Sequence, residues 1–428
     1  QQQLLYAVQD TVINPNAGSV SDVKTANVTG NNITFISDTG NLGVVDTQET
    51  VIKTDKLAEL FTKGTLSDAE KAQLDKLASA RAGDVTWGAE NITIERTTPV
   101  SVKLNGDGGK VTVQNTSGDM ADHIYLLAKD SVLNADKFAA NDLRLSGQEG
   151  LNVGSVTGEK IYLEGGSGNI GHIDKNDVEN TLHAVQVTLK NNGFISANAA
   201  GNVKLQQVLE DPNEIVDFTL GSVAGNNVDI DAVGSIVSRE DDIGYINANG
   251  TINLSSDKGG IGTETDGLRI KNSGAVVNTD VQSAINIEAK QDGTLILGTM
   301  EQDAGGVNVD SEGSIYIGKE DDPNTDEKDD VLGYIDAKDD VNLSAAEDII
   351  ISGMLHVNKN DGNLNLHAYN GDITQTTINE AKNIAVDNLT VAAINGDVEL
   401  ANKHNVIGNV DIQAVGGSLA LAVSNPEG

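Results

Sequence analysis

Residues 221–230 read Gly221-Ser222-Val223-Ala224-Gly225-Asn226-Asn227-Val228-Asp229-Ile230, two short alternating apolar and polar runs meeting at a Gly-Asn corner. Period-two alternation marks a strand with one buried face, and Gly with Asn supplies the backbone conformations of a sharp corner. The same pattern recurs as Gly201-Asn202-Val203-Lys204-Leu205, Gly250-Thr251-Ile252-Asn253-Leu254, Gly313-Ser314-Ile315-Tyr316-Ile317, Gly362-Asn363-Leu364-Asn365-Leu366, Gly396-Asp397-Val398-Glu399-Leu400 and Gly417-Ser418-Leu419-Ala420-Leu421. Its glycines lie 24 residues apart from Gly201 to Gly225, 25 from Gly225 to Gly250, 20 from Gly293 to Gly313 and 21 from Gly396 to Gly417. A loose period of this length is the mark of a solenoid.

Helical solenoids need an amphipathic helix in each repeat, and leucine-rich repeats need a fixed Leu and Asn consensus. Neither runs through this chain. The pattern predicts an all-β fold, a right-handed parallel β-helix over residues 1–428, with Val, Ile and Leu pointing into a narrow interior. At about 21 residues per coil it would make about 20 coils, and at about 4.8 Å per coil a rod about 95 Å long. An antiparallel sandwich array would alternate in the same way.

Composition agrees with a narrow interior. Aromatics make up 3% of the 428 residues against 46 glycines, while 38% of residues are hydrophobic, enough for a core of small aliphatic side chains. The 28 basic and 64 acidic residues leave a net charge of −36, which repels phosphate backbones and anionic lipid heads and argues against a nucleic-acid partner or membrane insertion. The absence of Cys removes disulfides, thiolate catalysis and thiolate metal sites. No apolar run reaches the roughly 18 residues of a spanning helix. The start, QQQLLYAV, has no basic region followed by an apolar stretch, so the chain reads as a mature segment or internal fragment.

Residues 55–82 depart from the pattern, carrying Lys, Glu, Ala and Leu in place of Gly and Asn, and predict a helical insertion. Ser67-Asp68-Ala69-Glu70 is a capping box. Leu74, Leu77 and Ala78 share one helical face, and Gly83 ends the helix before Asp84-Val85-Thr86-Trp87 resumes the strand pattern. Such a helix either covers apolar surface of the shaft or protrudes for recognition.

This segment carries a resemblance. Leu66-Ser67-Asp68-Ala69-Glu70 with Leu74 and Leu77, then Gly83-Asp84-Val85-Thr86 and Arg96-Thr97-Thr98-Pro99-Val100, is similar to a module of the leukotoxin-type filamentous adhesins, relatives of filamentous haemagglutinin. Leu126-Leu127-Ala128-Lys129-Asp130 and Asp142-Leu143-Arg144-Leu145 resemble the next coils of that family. The specific likeness covers about residues 66–145. It implies a shaft segment of a large bacterial virulence protein, secreted by a two-partner system through an outer-membrane transporter and displayed at the cell surface. Its partner would be a host-cell or bacterial surface receptor or glycan. No secretion domain of that family is present in these residues, and the later loops are more acidic than the family pattern.

Candidate chemistry is sparse. The acidic segment 319–330 offers Asp322, Asn324, Asp326 and Asp329 as oxygen ligands at spacings suited to calcium. Glu327 stands where a wrapped calcium loop needs Gly, and Gly333 where it needs a bidentate Glu, so a loosely held ion or a plain solvated loop is expected, and no other cofactor. Ser238-Arg239-Glu240-Asp241-Asp242 is a weaker version; both precede a Gly-Tyr-Ile-Asn/Asp-Ala segment, as one coil type carrying a lateral insertion twice would. Gly165–Asp174 looks like a phosphate loop but lacks the Lys and following helix, and reads as corner glycines. The six histidines form no metalloprotease pattern and no nucleophile elbow is present, so no enzyme activity is expected. The alternative is a polysaccharide lyase or glycoside hydrolase on a β-helix scaffold, with Asp and Arg converging in a groove on one outer face.

Overall fold

The computed structural model describes residues 26–80, 84–106, 108–174, 179–240, 242–320, 331–376 and 383–424. Among these the fold is all-β, 58% strand against 5% helix, so helices are a local departure and not a layer of the architecture. The chain divides into two compact units, one of Gln1–Asp231 with Ser238–Ile246 and one of Ala232–Val237 with Asn247–Gly428.

In the first unit Ala121–Ala128, Leu133–Gly147, Leu151–Glu164, Val185–Asn198 and Phe218–Gly225 run parallel, each paired with the next. Parallel pairing places like positions over one another. Ile124, Leu143, Ile161, Ile195 and Leu220 form one column and Leu126, Leu145, Leu163, Ala197 and Val223 another, all at most 2% exposed. Burying an aliphatic side chain this fully contributes about 1.5–3 kcal/mol, so the columns are the main source of stability.

The second unit repeats the scheme. Ile285, Val307, Val341, Leu364 and Leu389 stack, as do Ile287, Val309, Leu343, Leu366 and Val391. All six repeated segments quoted above lie on strands, Val203–Gln207, Thr251–Ser256, Ser314–Ile317, Asn363–Ala368, Val398–Leu400 and Leu419–Leu421. They pair parallel, as a solenoid requires and a sandwich array does not.

Outside the columns a polar ladder follows the same register. The Asn308 side-chain amide donates to Asn286 Oδ1 at 2.8 Å across 22 positions, Asn342 to Asn308 at 2.6 Å across 34, and Asn365 to Asn342 at 2.6 Å across 23. Asn278 over Asn253 and Asn409 over Asn388 repeat the contact at 2.9 Å across 25 and 21 positions. The 34-residue step includes residues 321–330, which lie outside the described residues, and on either side of them the Lys319 and Val331 backbones bond to each other at 2.9 and 2.8 Å.

The helical segment belongs to a larger excursion. Asn32–Ser37 runs parallel to Lys110–Asn115, and Lys110 bonds Asn32 although 78 positions separate them. Between these strands Val44–Lys53, Val85–Trp87 and Asn91–Thr98 form an antiparallel sheet carrying two helices, Thr54–Thr62 and Asp68–Ala78. Thus the expected 55–82 insertion contains two helices, and Val85–Trp87 resumes the strand pattern as expected, pairing antiparallel with Asn91–Thr98 inside the excursion. Leu57 and Leu60 of the first helix and Leu77 of the second pack on Val51, Ile52, Trp87, Ile92 and Ile94, with Leu66 and Leu74 partly covered. Ala78 is exposed and Ala80 buried in its place, because the second helix ends at Ala78 and the turn after it bends inward.

The capping box forms as read: Ser67 Oγ accepts from the Glu70 amide at 3.3 Å and Glu70 Oε2 accepts from the Ser67 amide at 2.8 Å. Lys63 adds an ion pair to Glu70 at 2.8 Å. The hydrogen bond from Lys63, followed by those from Ser67, holds the Glu70 carboxyl down at about 2, against an ordinary 4.5.

Two outcomes follow from this geometry. Asn308→Ala removes one amide bond and leaves the Asn342 amide without its acceptor, which should cost about 1–2 kcal/mol; an unshifted urea midpoint would falsify the ladder's contribution. Because the native Glu70 releases its proton more readily than the unfolded chain, its support of the second helix is complete above about pH 4.5 and fades as pH falls toward 2. Amide exchange over residues 68–78 should accelerate across that window, and Ser67→Ala should weaken the dependence. Flat exchange in both proteins would remove the carboxylate from the account.

Candidate functional site

Two outer features of the first unit bring chemistry-bearing side chains together. The first is the seat of the excursion. Tyr125, Arg144 and Tyr162 occupy one register position in three successive strands, the guanidinium lying 5.1 and 5.2 Å from the two ring centres. Arg144 Nη1 donates to Asp84 Oδ1 at 2.8 Å and to the Glu95 carbonyl at 3.2 Å. Its Nη2 donates to Asp142 Oδ2 at 2.9 Å and to the Glu95 carboxylate, and Nε to Asp142 Oδ1 at 3.1 Å. Asp84 also accepts from Thr97 Oγ1 at 2.7 Å, and Asp142 from the Tyr125 hydroxyl at 2.9 Å.

Burial alone would lower the Arg144 pKa, but the hydrogen bond and charge of Asp142, with Tyr162 and Asp84 behind them, raise it, so the guanidinium stays charged. Burial pushes the Tyr162 hydroxyl up to about 12, and burial followed by the Asp142 charge pushes Tyr125 up as well. An Arg surrounded by carboxylates is what a polysaccharide lyase would display. Here Arg144 and Asp84 side chains are 9% and 8% exposed, and the five contacts match the five N–H donors of a guanidinium. The cluster holds the excursion to the parallel strands and leaves no donor for a substrate.

The loop 238–246 is a second tie. Arg239 lies 3.9 Å from the Phe194 ring centre, Ile243 N donates to the Trp87 carbonyl at 3.1 Å, and Ile243 and Tyr245 complete the core of the excursion. Local sequence hid both ties. Asp142-Leu143-Arg144-Leu145 marks Arg144 as outward-facing, but its partners Glu95 and Asp84 lie 49 and 60 positions away.

The second feature is an open recess of about 610 Å³ lined by Asp136, Ser155, His172, His183, Gln186, Gln206 and Asp231, among others. A smaller one of about 320 Å³ shares Asp136 and His172 and adds Lys110, Asn134, Asn152 and Asp174. Ser155, Gln186, Gln206 and Asp231 stand in register on four successive strands and make the floor. His172 and His183 are joined through their backbones by reciprocal bonds of 2.8 Å and stand beside it. Among the six histidines His172 and His183 are brought together at this recess. The glycines of 165–174 are corners, as expected: Gly166 has φ of +51°, and a β-carbon on Gly168 would collide with the Glu149 carbonyl oxygen.

The expected calcium ligands Asp322, Asn324, Asp326 and Asp329 lie outside the described residues. Among the described residues no group of three or more His, Asp or Glu converges as a metal site, and no helix is long and apolar enough to cross a membrane. No family model, no curated protein and no solved structure matches this chain.

If the Arg144 cluster anchors the excursion, Arg144→Met leaves the buried Asp84 and the half-buried Glu95 and Asp142 carboxylates without their cation and should cost about 3–5 kcal/mol, with proteolysis inside 44–98 preceding loss of the parallel strands. Arg144→Lys should fail to restore stability, since an ammonium cannot reproduce the planar fork. Wild-type denaturation midpoints in both variants would contradict the anchor.

Proposed function

We propose that the chain is a structural and adhesive shaft segment of a large secreted bacterial filamentous adhesin or leukotoxin-like virulence protein, each unit built as a right-handed parallel β-helix. The observation that carries this reading is the coil-on-coil register of both units, in which interior columns supply stability and loops or whole modules leave the coil sideways without breaking it. Such a scaffold presents laterally displayed surfaces at a distance from a cell. The resemblance over residues 66–145 supplies the rest of the proposal: export by a two-partner system through an outer-membrane transporter, residence at the bacterial surface, and contact with a host-cell or bacterial receptor or glycan. The chain needs no cofactor for this task, and any calcium at 319–330 would be held loosely at the millimolar end of known sites.

The alternative reading, a polysaccharide lyase or glycoside hydrolase on the same scaffold, draws on the recess and its Asp136 and Asp231 carboxylates. Against it stands the engagement of the nearby charges: Lys110 pairs with Asp136, and Gln206 Nε2 donates to Asp231 at 2.9 Å.

The two readings separate in one experiment. Beads coated with the purified chain should adhere to host-cell monolayers above uncoated controls, and the same preparation should release no reducing or unsaturated ends from neutral or acidic polysaccharides. Turnover that disappears with Asp136→Asn or Asp231→Asn would establish the enzyme instead, and beads that fail to adhere would remove the adhesive role.

A further inference from the structure

We infer that the recess floored by Ser155, Gln186, Gln206 and Asp231 is a binding groove for a neutral, linear oligosaccharide. The inference deepens the adhesive reading above and rests on it.

The floor runs across the strands, so its side chains repeat at the spacing of neighbouring strands, about 4.8 Å, over roughly 14 Å from Ser155 to Asp231. That repeat suits a ligand that is itself a chain of similar rings. The polar groups are suited to hydroxyls, since a carboxamide both donates and accepts and a serine hydroxyl does the same. The Ser155 side chain is half-buried and that of Gln186 exposed, both open to a ligand, and His172 Nδ1 is buried with no partner. A buried polar atom without a partner costs about 1–3 kcal/mol, a penalty that a ligand hydroxyl or an ordered water would relieve.

Charge narrows the ligand further. Asp136, Asp174 and Asp231 line the two recesses, and the chain carries a net charge of −36, so sulfated or uronic-acid polymers are repelled. A strongly cationic ligand finds Asp136 already paired with Lys110 and Asp231 already holding the Gln206 amide. An extended peptide would need an open strand edge for its backbone, whereas the strands flooring the recess are paired with one another.

The test is titration calorimetry on the intact chain with three neutral hexasaccharides, of mannose, of N-acetylglucosamine and of β-linked glucose, beside a heparin hexasaccharide. The mannose arm represents host surface glycans, the N-acetylglucosamine arm bacterial wall polymer, and the glucose arm environmental glucan. At least one neutral probe should bind, and the double variant Ser155→Ala with Gln186→Ala should weaken it about tenfold or more at an unchanged melting temperature, the scale of one or two lost hydrogen bonds. Failure of every neutral probe, equal binding by the variant, or tightest binding of heparin would each overturn the groove. The bead assay run in parallel keeps the two claims apart: wild-type adhesion that persists in the double variant, with no probe bound, sinks the groove and leaves the adhesive role standing.

Discussion

Everything in this protein depends on one constraint, that each coil must lie on the last with the same position over the same position. Parallel pairing at about 4.8 Å leaves little freedom in what can stack. Inside, the columns from Ile124 to Leu220 and from Ile285 to Leu389 fill the space with aliphatic side chains that tolerate a copy of themselves directly above. Outside, the same rule selects asparagine. Its carboxamide donates to and accepts from an identical group, so Asn286, Asn308, Asn342 and Asn365 make a hydrogen-bonded ladder that a column of aspartates would turn into repulsion.

The acidity of the chain is arranged around that rule. With 64 carboxylates and 28 basic groups, few acidic residues can have a cation of their own. At several outward acids the structure sets a different group beside the carboxylate, Lys204 over Asp229 at 3.0 Å, the Gln206 amide over Asp231, and Lys290 between Glu288 and Glu312, whereas Asp280 stands over Glu301 and Glu288 over Asp310. Exposed ion pairs of this kind are worth at most about 1 kcal/mol each. Their value lies in avoiding the penalty of like charges stacked at strand spacing.

The same logic explains where unusual chemistry can appear. A module inserted sideways must bring its own core and needs an anchor, and here the excursion between Val44 and Thr98 has both. Its apolar centre is closed by Ile243 and Tyr245 from a distant loop, and its base is held by Arg144. One buried guanidinium with five acceptors and two aromatic faces supplies direction as well as energy, since a planar fork fixes the angle at which the module meets the strands. Where no module covers the outer face, rows of side chains at strand spacing are left open, and the recess beside His172 and His183 is one such row, with His172 Nδ1 buried and unpartnered.

The sequence by itself determined the strand periodicity, the corner glycines, the aliphatic interior and the capping box. Each depends on residues within a few positions of one another or on a repeat that copies itself. What only the tertiary structure decided is which outward side chains meet: Arg144 with Asp84 and Glu95, Ile243 with Trp87, Ser155 with Gln186, Gln206 and Asp231. It also decided that Val85–Trp87 pairs within the excursion, where antiparallel neighbours on both sides of the helices close a shorter loop than a return to the parallel strands would. The physical reason is that alternation tells which face a side chain takes but not which coil lies beside it. Coil lengths that vary from 18 residues between Leu145 and Leu163 to 34 between Asn308 and Asn342 place partners in contact that no local pattern connects.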